Sequence, residues 1–213
     1  MRRACTILTA LIATTVFVGA QENRPASPAG SSATQVAGEW TKSKDAQGKE
    51  VERYQGGKWI EITYGRPILK GRKNIFGSGA DYGKTLNGGA PVWRAGANVS
   101  TRLKTEVPLQ IGGKTVPAGE YSVFIDLKET NWTLILSSWA AQQKYDPNNK
   151  TELWGSYEYT PDKDVARAPM TLGKLPISVD QLTWNFVDMT QAGGKLAIMW
   201  HTVVAAAPFS VTK

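Results

Sequence analysis

The side chains best suited to binding chemistry lie in one glycine- and proline-rich stretch, residues 64–98. From Tyr64 to Lys104 the chain carries eight cationic side chains and a single carboxylate, Asp81. A guanidinium presents a planar set of donors that matches a carboxylate or a phosphate, and a local positive field attracts anions. The pattern therefore predicts an anion-binding surface to which four cations contribute: Arg66, Lys70, Arg72 and Arg94.

The same arginines have an alternative use, which the sequence leaves open. A loop arginine can donate to backbone carbonyls or to acids such as Glu61 and Asp81, and its stem can cover an aromatic ring. Under that interpretation the stretch is structural and its guanidinium groups are buried and fully bonded. Loop residues carry binding functions disproportionately, so both interpretations are kept.

Aromatic residues at segment ends add a second kind of binding group. Trp93 precedes Arg94 and Trp154 precedes Gly155, and an indole at such a position can stack on a sugar ring or a guanidinium. Core packing competes with this role, because large aromatic side chains are mostly buried. The candidate ligand-binding residues are therefore Arg66, Lys70, Arg72, Trp93, Arg94, Asn98 and Trp154.

The residues needed for common catalytic or metal sites are scarce. His201 is the only histidine and Cys5 the only cysteine, so a catalytic triad or a zinc site has too few partners. We predict no catalytic residue, no metal and no cofactor. An enzyme acting on carbohydrates or esters stays as the alternative, because paired carboxylates can come from distant strands at the mouth of a sandwich. The available carboxylates are Asp81, Glu120, Asp126 and Glu158.

The first 20 residues have the pattern of an export signal. Arg2 and Arg3 precede an apolar run that ends in Val18-Gly19-Ala20, as expected for a signal peptide with a small-residue cleavage site. Residues 21–37 are rich in Pro, Ser, Ala and Gly and predict a disordered linker. Once the signal is removed, no cysteine and no membrane-spanning segment is expected, and the protein is predicted to be periplasmic or extracellular.

Residues 38–213 predict one all-β domain. Tyr121, Val123, Ile125 and Leu127 alternate with more polar residues, and an alternating strand returns after a turn at residues 128–131, which is typical of a hairpin. Many short strands with close turn signals favour an antiparallel β-sandwich, jelly-roll-like in topology. We also expect a hairpin across Gly56-Gly57, a loop over residues 139–152 with a short helix at its start, and three tryptophans in the core: Trp132, Trp184 and Trp200.

Six motifs resemble a bacterial secreted family, the domain of unknown function 2911, over about residues 51–213. They are YGRPILKGRKNIFG (64–77), DYGK (81–84), VWRAGAN (92–98), VPAGEYSVF (116–124), NWTLIL (131–136) and WGSYEY (154–159). The resemblance implies an exported all-β domain and no assigned activity. Compared with the family pattern, this chain inserts residues 85–91 and has Val99 where a glutamate is frequent.

Together these observations favour an exported binding or structural module without catalysis. Its basic, aromatic loop face would take an anionic or carbohydrate-like small ligand. Nucleic acid would match the local charge, but export makes it a poor partner, so none is expected. The sequence does not define the oligomeric state.

Overall fold

The computed structural model describes residues 25–212, which form an all-β fold with little helix. Over this range the strands are β1 (Ala29–Val36), β2 (Glu39–Lys44), β3 (Glu50–Gln55), β4 (Lys58–Gly65), β5 (Thr101–Thr105), β6 (Leu109–Ile111), β7 (Lys114–Val116), β8 (Gly119–Lys128), β9 (Asn131–Ser137), β10 (Ala140–Ala141), β11 (Glu152–Leu153), β12 (Asp164–Thr190) and β13 (Gly193–Val211). The helical pieces are α1 (Lys84–Asn87) and two 3-10 turns, Gly79–Asp81 and Pro161–Lys163.

Nine strands hydrogen-bond in the order β1-β4-β5-β8-β9-β12-β13-β6-β7, and each neighbouring pair is antiparallel. β12 belongs to both layers. Its residues 164–170 pair with β9, whereas residues 171–190 pair with β13 across several register shifts. The bulges bend this long strand, so one chain segment turns the corner of a sandwich. The prediction of an antiparallel all-β single domain is confirmed, while the jelly-roll topology stays a prediction.

Aromatic side chains fill the space between the layers. Trp93, Trp132 and Trp184 are fully buried, and the Phe76 ring lies 5.1 Å from Trp132 and 6.3 Å from Trp200 between centroids. Such tilted and edge-on pairs are the favoured aromatic geometries. The prediction that Trp132, Trp184 and Trp200 belong to the core is confirmed.

A second hydrophobic cluster covers the outer face of the sheet. Phe124 on β8 and Ile135 on β9 point away from the main core and are fully buried beneath Val92, Leu153 and Tyr159. Both faces of this hairpin are therefore covered, which explains its long apolar run. The chain between β9 and β12, residues 138–163, crosses this face, and we call it the outer segment.

The prediction of a disordered linker over residues 21–37 is wrong for Ala29–Val36. These residues form β1 and pair along their whole length with β4, and Val36 is fully buried. The small polar residues of β1 hide its strand character, but β4 needs a partner for its backbone donors and acceptors. The predicted signal, residues 1–20, lies outside the described residues.

The hairpin predicted across Gly56-Gly57 is also wrong. β3 pairs with β2 and β4 pairs with β1, so β2 and β3 form a separate hairpin inserted between the two strands of a longer one. The predicted short helix at residues 139–144 is absent, and Ala140–Ala141 instead forms the short strand β10. Within residues 25–212, no helix has the length and apolar character needed to cross a bilayer.

Candidate functional site

One buried glutamine fixes the shape of a loop within the outer segment. Gln142 is only 3% exposed, and its Nε2 donates to the carbonyl oxygens of Asn149 (3.1 Å) and Glu152 (3.0 Å). Its Oε1 accepts from the backbone N–H of Asp146 at 2.9 Å. These bonds fold residues 142–152 into a compact loop whose one aromatic side chain, Tyr145, is exposed.

A buried polar network holds the other end of the segment. The Tyr159 hydroxyl donates to Asp164, 2.7 Å from Oδ2, and Arg167 donates to the same oxygen at 2.7 Å. Burial, followed by the hydrogen bond and the charge of Asp164, raises the pKa of Tyr159 above its ordinary value. Because the phenol is kept protonated, Tyr159 fastens the outer segment to β12 as a hydrogen-bond donor.

An open cavity of about 440 Å³ is lined by ten residues of the outer segment, from Gln142 to Glu158. Three aromatic side chains line it: Tyr145, Trp154 and Tyr157. Tyr145 is 58% exposed and Tyr157 44% exposed, and the Tyr145 and Trp154 ring centroids are 5.8 Å apart at 56°. We call this cavity the aromatic cup.

Polar groups of both signs complete the lining of the cup. Lys150 forms an ion pair with Glu158 at 3.0 Å, and Glu152 accepts from the Asn149 side chain at 2.8 Å. Glu158 has a left-handed backbone with φ of 61°, a conformation that costs free energy for a residue with a side chain and is found preferentially at functional sites. The cup also contains the carboxylate of Asp146.

A second cavity, of about 580 Å³, lies over the outer face of β1, β4 and β5. Its floor includes Ser31, Thr63 and Arg102, which are opposite one another on adjacent strands. Asn98 and Gln143 line it as well. We call it the polar groove.

Two of the predicted arginines contact the protein's own carbonyl groups. Arg66 donates through Nε to the Leu182 carbonyl (3.2 Å) and through Nη2 to Thr183 Oγ1 (3.0 Å). Arg72 donates to the carbonyls of Leu69 (3.0 Å) and Ile68 (2.8 Å). Neither arginine is among the residues that line the cup or the groove. The donations to carbonyl groups agree with the structural interpretation of the basic stretch, but the burial that it predicts is not found, because Arg66 is half-buried and Arg72 is exposed.

The other predicted residues are distributed between core, surface and cavities. Trp93 is 1% exposed and exchanges backbone hydrogen bonds with Ile125, so its ring is not accessible. Lys70 is exposed at a turn with φ of 50°. Asn98 lines the groove and Trp154 lines the cup. The structure thus brings only part of the predicted set toward the two cavities.

Arg94 lies between the two cavities. Its Nη1 donates to the Asn98 carbonyl at 2.8 Å, and its guanidinium carbon lies 5.4 Å from the centroid of the Tyr157 ring. This distance is typical of a cation–π contact. Arg94 therefore positions one residue of each cavity.

The four carboxylates considered for catalysis are separated. Asp81 pairs with Lys84, Glu120 with Arg102 and Asp126 with Arg167. Of the four, only Glu158 lines the cup. Within residues 25–212 no group of three or more His, Cys, Asp or Glu side chains is placed to hold a metal ion.

Sequence reasoning missed Tyr145, Tyr157 and Glu152. One signal was present: the outer segment is a long polar loop, and loops of that length are uncommon unless they have a function. Three aromatic residues lie within this loop, Tyr145, Trp154 and Tyr157, and a cluster of aromatic residues in an exposed loop indicates an interaction or ligand-binding surface.

Comparison with known proteins gives a single family. Residues 46–209 match the model of the family described as "Protein of unknown function (DUF2911)". Neither a curated protein nor a solved structure matches the chain. The match covers most of the sequence and includes the cup, and all of the polar groove except its β1 side. The chain therefore belongs to the DUF2911 family.

Proposed function

We propose that this protein is an exported, non-catalytic binding module whose aromatic cup takes a carbohydrate ligand. The observation that carries the proposal is the convergence of Tyr145, Trp154 and Tyr157 on one open cavity with polar side chains between them. Ligand sites combine apolar and aromatic walls with a few placed polar groups. A sugar ring has the matching surface, because its C–H faces can stack on aromatic rings while its hydroxyls form hydrogen bonds.

The charge of the cup favours a neutral carbohydrate over an anion. Three carboxylates, those of Asp146, Glu152 and Glu158, line it together with one ammonium group, that of Lys150. An anion would be repelled by this excess of negative charge. Arg66 and Arg72 donate to the protein's own oxygens, which leaves the basic stretch with less capacity for an anionic ligand than its composition indicates.

The alternative, an enzyme acting on carbohydrates or esters, has one observation in its favour. Glu152 and Glu158 line the same cup, and glycoside hydrolysis uses a pair of carboxyl groups. Each of the two already has a partner, Asn149 for Glu152 and Lys150 for Glu158. An assay for reducing ends with any sugar polymer that binds separates the two functions. Turnover that disappears in Glu152→Gln or Glu158→Gln would establish the enzyme.

Export is the second part of the proposal, and it rests on the signal-like residues 1–20. We expect that cleavage of this signal leaves a mature chain that begins near Gln21. Mass spectrometry of the periplasmic and medium fractions measures that mass directly. A full-length chain confined to the cytoplasm would contradict export without affecting the cup.

The cup itself is tested by matched tryptophan variants in a glycan array and by calorimetry. Truncating a central aromatic anchor costs about 2 kcal/mol of binding free energy, so Trp154→Ala should weaken binding roughly 30-fold. Trp40→Ala is the control, because Trp40 is 64% exposed and lies on the separate β2–β3 hairpin. Equal affinities of the two variants, with both folded, would refute the cup as the binding site.

A further inference from the structure

We infer that the polar groove and the aromatic cup form one continuous site, so that the ligand is an extended carbohydrate chain of several units. This inference rests on the proposed function. The groove is the larger of the two cavities, at about 580 Å³ against about 440 Å³. A single sugar ring seated in the cup would leave the groove unused.

The two cavities share a wall. Gln142 lines the cup and its neighbour Gln143 lines the groove. Ser100 lines the groove and donates to the carbonyl of Gly155 at 2.5 Å, and Gly155 directly follows Trp154 of the cup. The two linings therefore meet at consecutive residues in one place, and in another a groove residue is hydrogen-bonded to the neighbour of a cup residue.

Arg94 makes a third connection. It donates to the Asn98 carbonyl on the groove side, and its guanidinium stacks on Tyr157 on the cup side. Asn98 has a left-handed backbone with φ of 62°, and its side chain donates to the Ser27 carbonyl, which also borders the groove. These contacts hold the junction rigid, as a site that binds across two cavities requires.

The floor of the groove has the chemistry of a sugar-hydroxyl site. Ser31, Thr63 and Arg102 form a row across three strands. Neighbouring strands are about 4.8 Å apart, so the row spans about 10 Å. Hydroxyl groups donate and accept, and a guanidinium has five donors, so Arg102 retains donors beyond its contact with Glu120 at 3.3 Å.

The charge and position of the groove favour a neutral chain that lies across the strands. Its charged lining residues are Glu61 and Arg102, one of each sign, so it attracts neither anions nor cations strongly. Side chains of three adjacent strands form its floor. An added peptide strand would instead pair with the main chain at the free edge of β1, in the plane of the sheet and beside this floor. An extended polymer rich in hydroxyl groups matches both features.

The test uses linear glucan, chitin and mannan oligomers of one to six units with the mature protein in calorimetry. Affinity should rise at least tenfold between the shortest bound oligomer and the longest. Ser31→Tyr fills the groove from an exposed strand position and should lower the affinity for long oligomers at least fivefold, without changing that for the shortest. Ala33→Tyr is the matched control, because Ala33 is exposed two residues along the same strand and does not line the groove.

The outcomes separate this inference from the proposed function. If affinity does not depend on chain length, or if Ser31→Tyr and Ala33→Tyr bind long oligomers equally, the groove is not part of the site and the inference fails. In that case loss of binding in Trp154→Ala still supports the cup. If no oligomer of any length binds the unmodified protein, the proposed function fails and the inference fails with it.

Discussion

Replacing Gln142 with alanine should loosen the loop that forms the aromatic cup. The side chain makes three hydrogen bonds within the loop and is almost fully buried. Each intramolecular hydrogen bond contributes about 1 kcal/mol net, so the substitution should cost about 3 kcal/mol. The substitution should lower the free energy of local opening of the outer segment, because all three bonds join residues within that segment.

Hydrogen exchange measures that opening directly. The backbone amide of residue 142 donates to the Leu153 carbonyl at 3.0 Å. The substitution leaves this bond in place, so the amide can exchange only when the loop opens. A loss of about 3 kcal/mol corresponds to exchange on the order of 100-fold faster at this amide. Exchange in β8 and β9 should change much less, since local opening leaves the sheet intact.

Gln143→Ala is the matched control for this experiment. Gln143 is exposed, and its side chain makes one long hydrogen bond to the Ala141 carbonyl, at 3.4 Å. Removing this side chain should change exchange at the residue-142 amide by less than about threefold, the effect expected of a surface substitution. If Gln142→Ala and Gln143→Ala give the same exchange rate at the residue-142 amide, the Gln142 side chain does not hold the loop of the cup closed.

Three further predictions concern the scaffold. Arg66→Lys should lose about 1–2 kcal/mol of unfolding free energy in urea, because a lysine cannot reproduce both donations of the guanidinium. Lys70→Ala should leave the stability unchanged, and equal stabilities of the two variants would favour a ligand-contact role for Arg66. Val36→Ser should lose roughly 2 kcal/mol because it places a hydroxyl at a fully buried position of β1, and an unchanged melting temperature would show that β1 is not part of the stable core. The pKa of Tyr159 is raised in the folded state, so its contribution to the free energy of unfolding is complete below the unfolded pKa of about 10 and is lost progressively above it, by up to about 1.4 kcal/mol per pH unit. Tyr159→Phe should therefore flatten the loss of stability in unfolding curves measured between pH 8 and 11. An equally steep loss in the variant would contradict this role of Tyr159.

Residue alternation and turn residues predicted the hairpin and the core tryptophans, which depend on short stretches of sequence. The hairpin of β8 and β9 follows from strict alternation and a clear turn, and the structure confirms it. Alternation also placed Trp132, Trp184 and Trp200 in the core. β1 was not predicted, because its residues are small and mostly polar and it forms a strand only by pairing with β4. The length of β12 was not predicted, because a bulged strand that bends between two layers has the sequence pattern of several short strands.

Residue type alone could not separate a ligand-binding arginine from a structural one. Arg66 and Arg72 have the composition and loop setting of an anion site, but the chain supplies carbonyl oxygens within reach of both. The position of an acceptor is a tertiary property. The same limit applies to the cup: Trp154 was predicted from its place at a segment end, whereas Tyr145 and Tyr157 join it only because the loop folds around Gln142.

The outer hydrophobic cluster explains why the cup lies where it does. Phe124 and Ile135 would expose a large apolar patch if nothing covered them, so Leu153 and Tyr159 of the outer segment are buried there. Those two residues flank Trp154 and Tyr157, which line the cup and are outside this cluster. Burial of Leu153 and Tyr159 thus also fixes the short stretch that presents half-buried Trp154 and exposed Tyr157 to the cup. A site preformed in this way loses little conformational entropy when a ligand binds, so we expect the aromatic cup to keep its shape in ligand-free and ligand-bound protein alike.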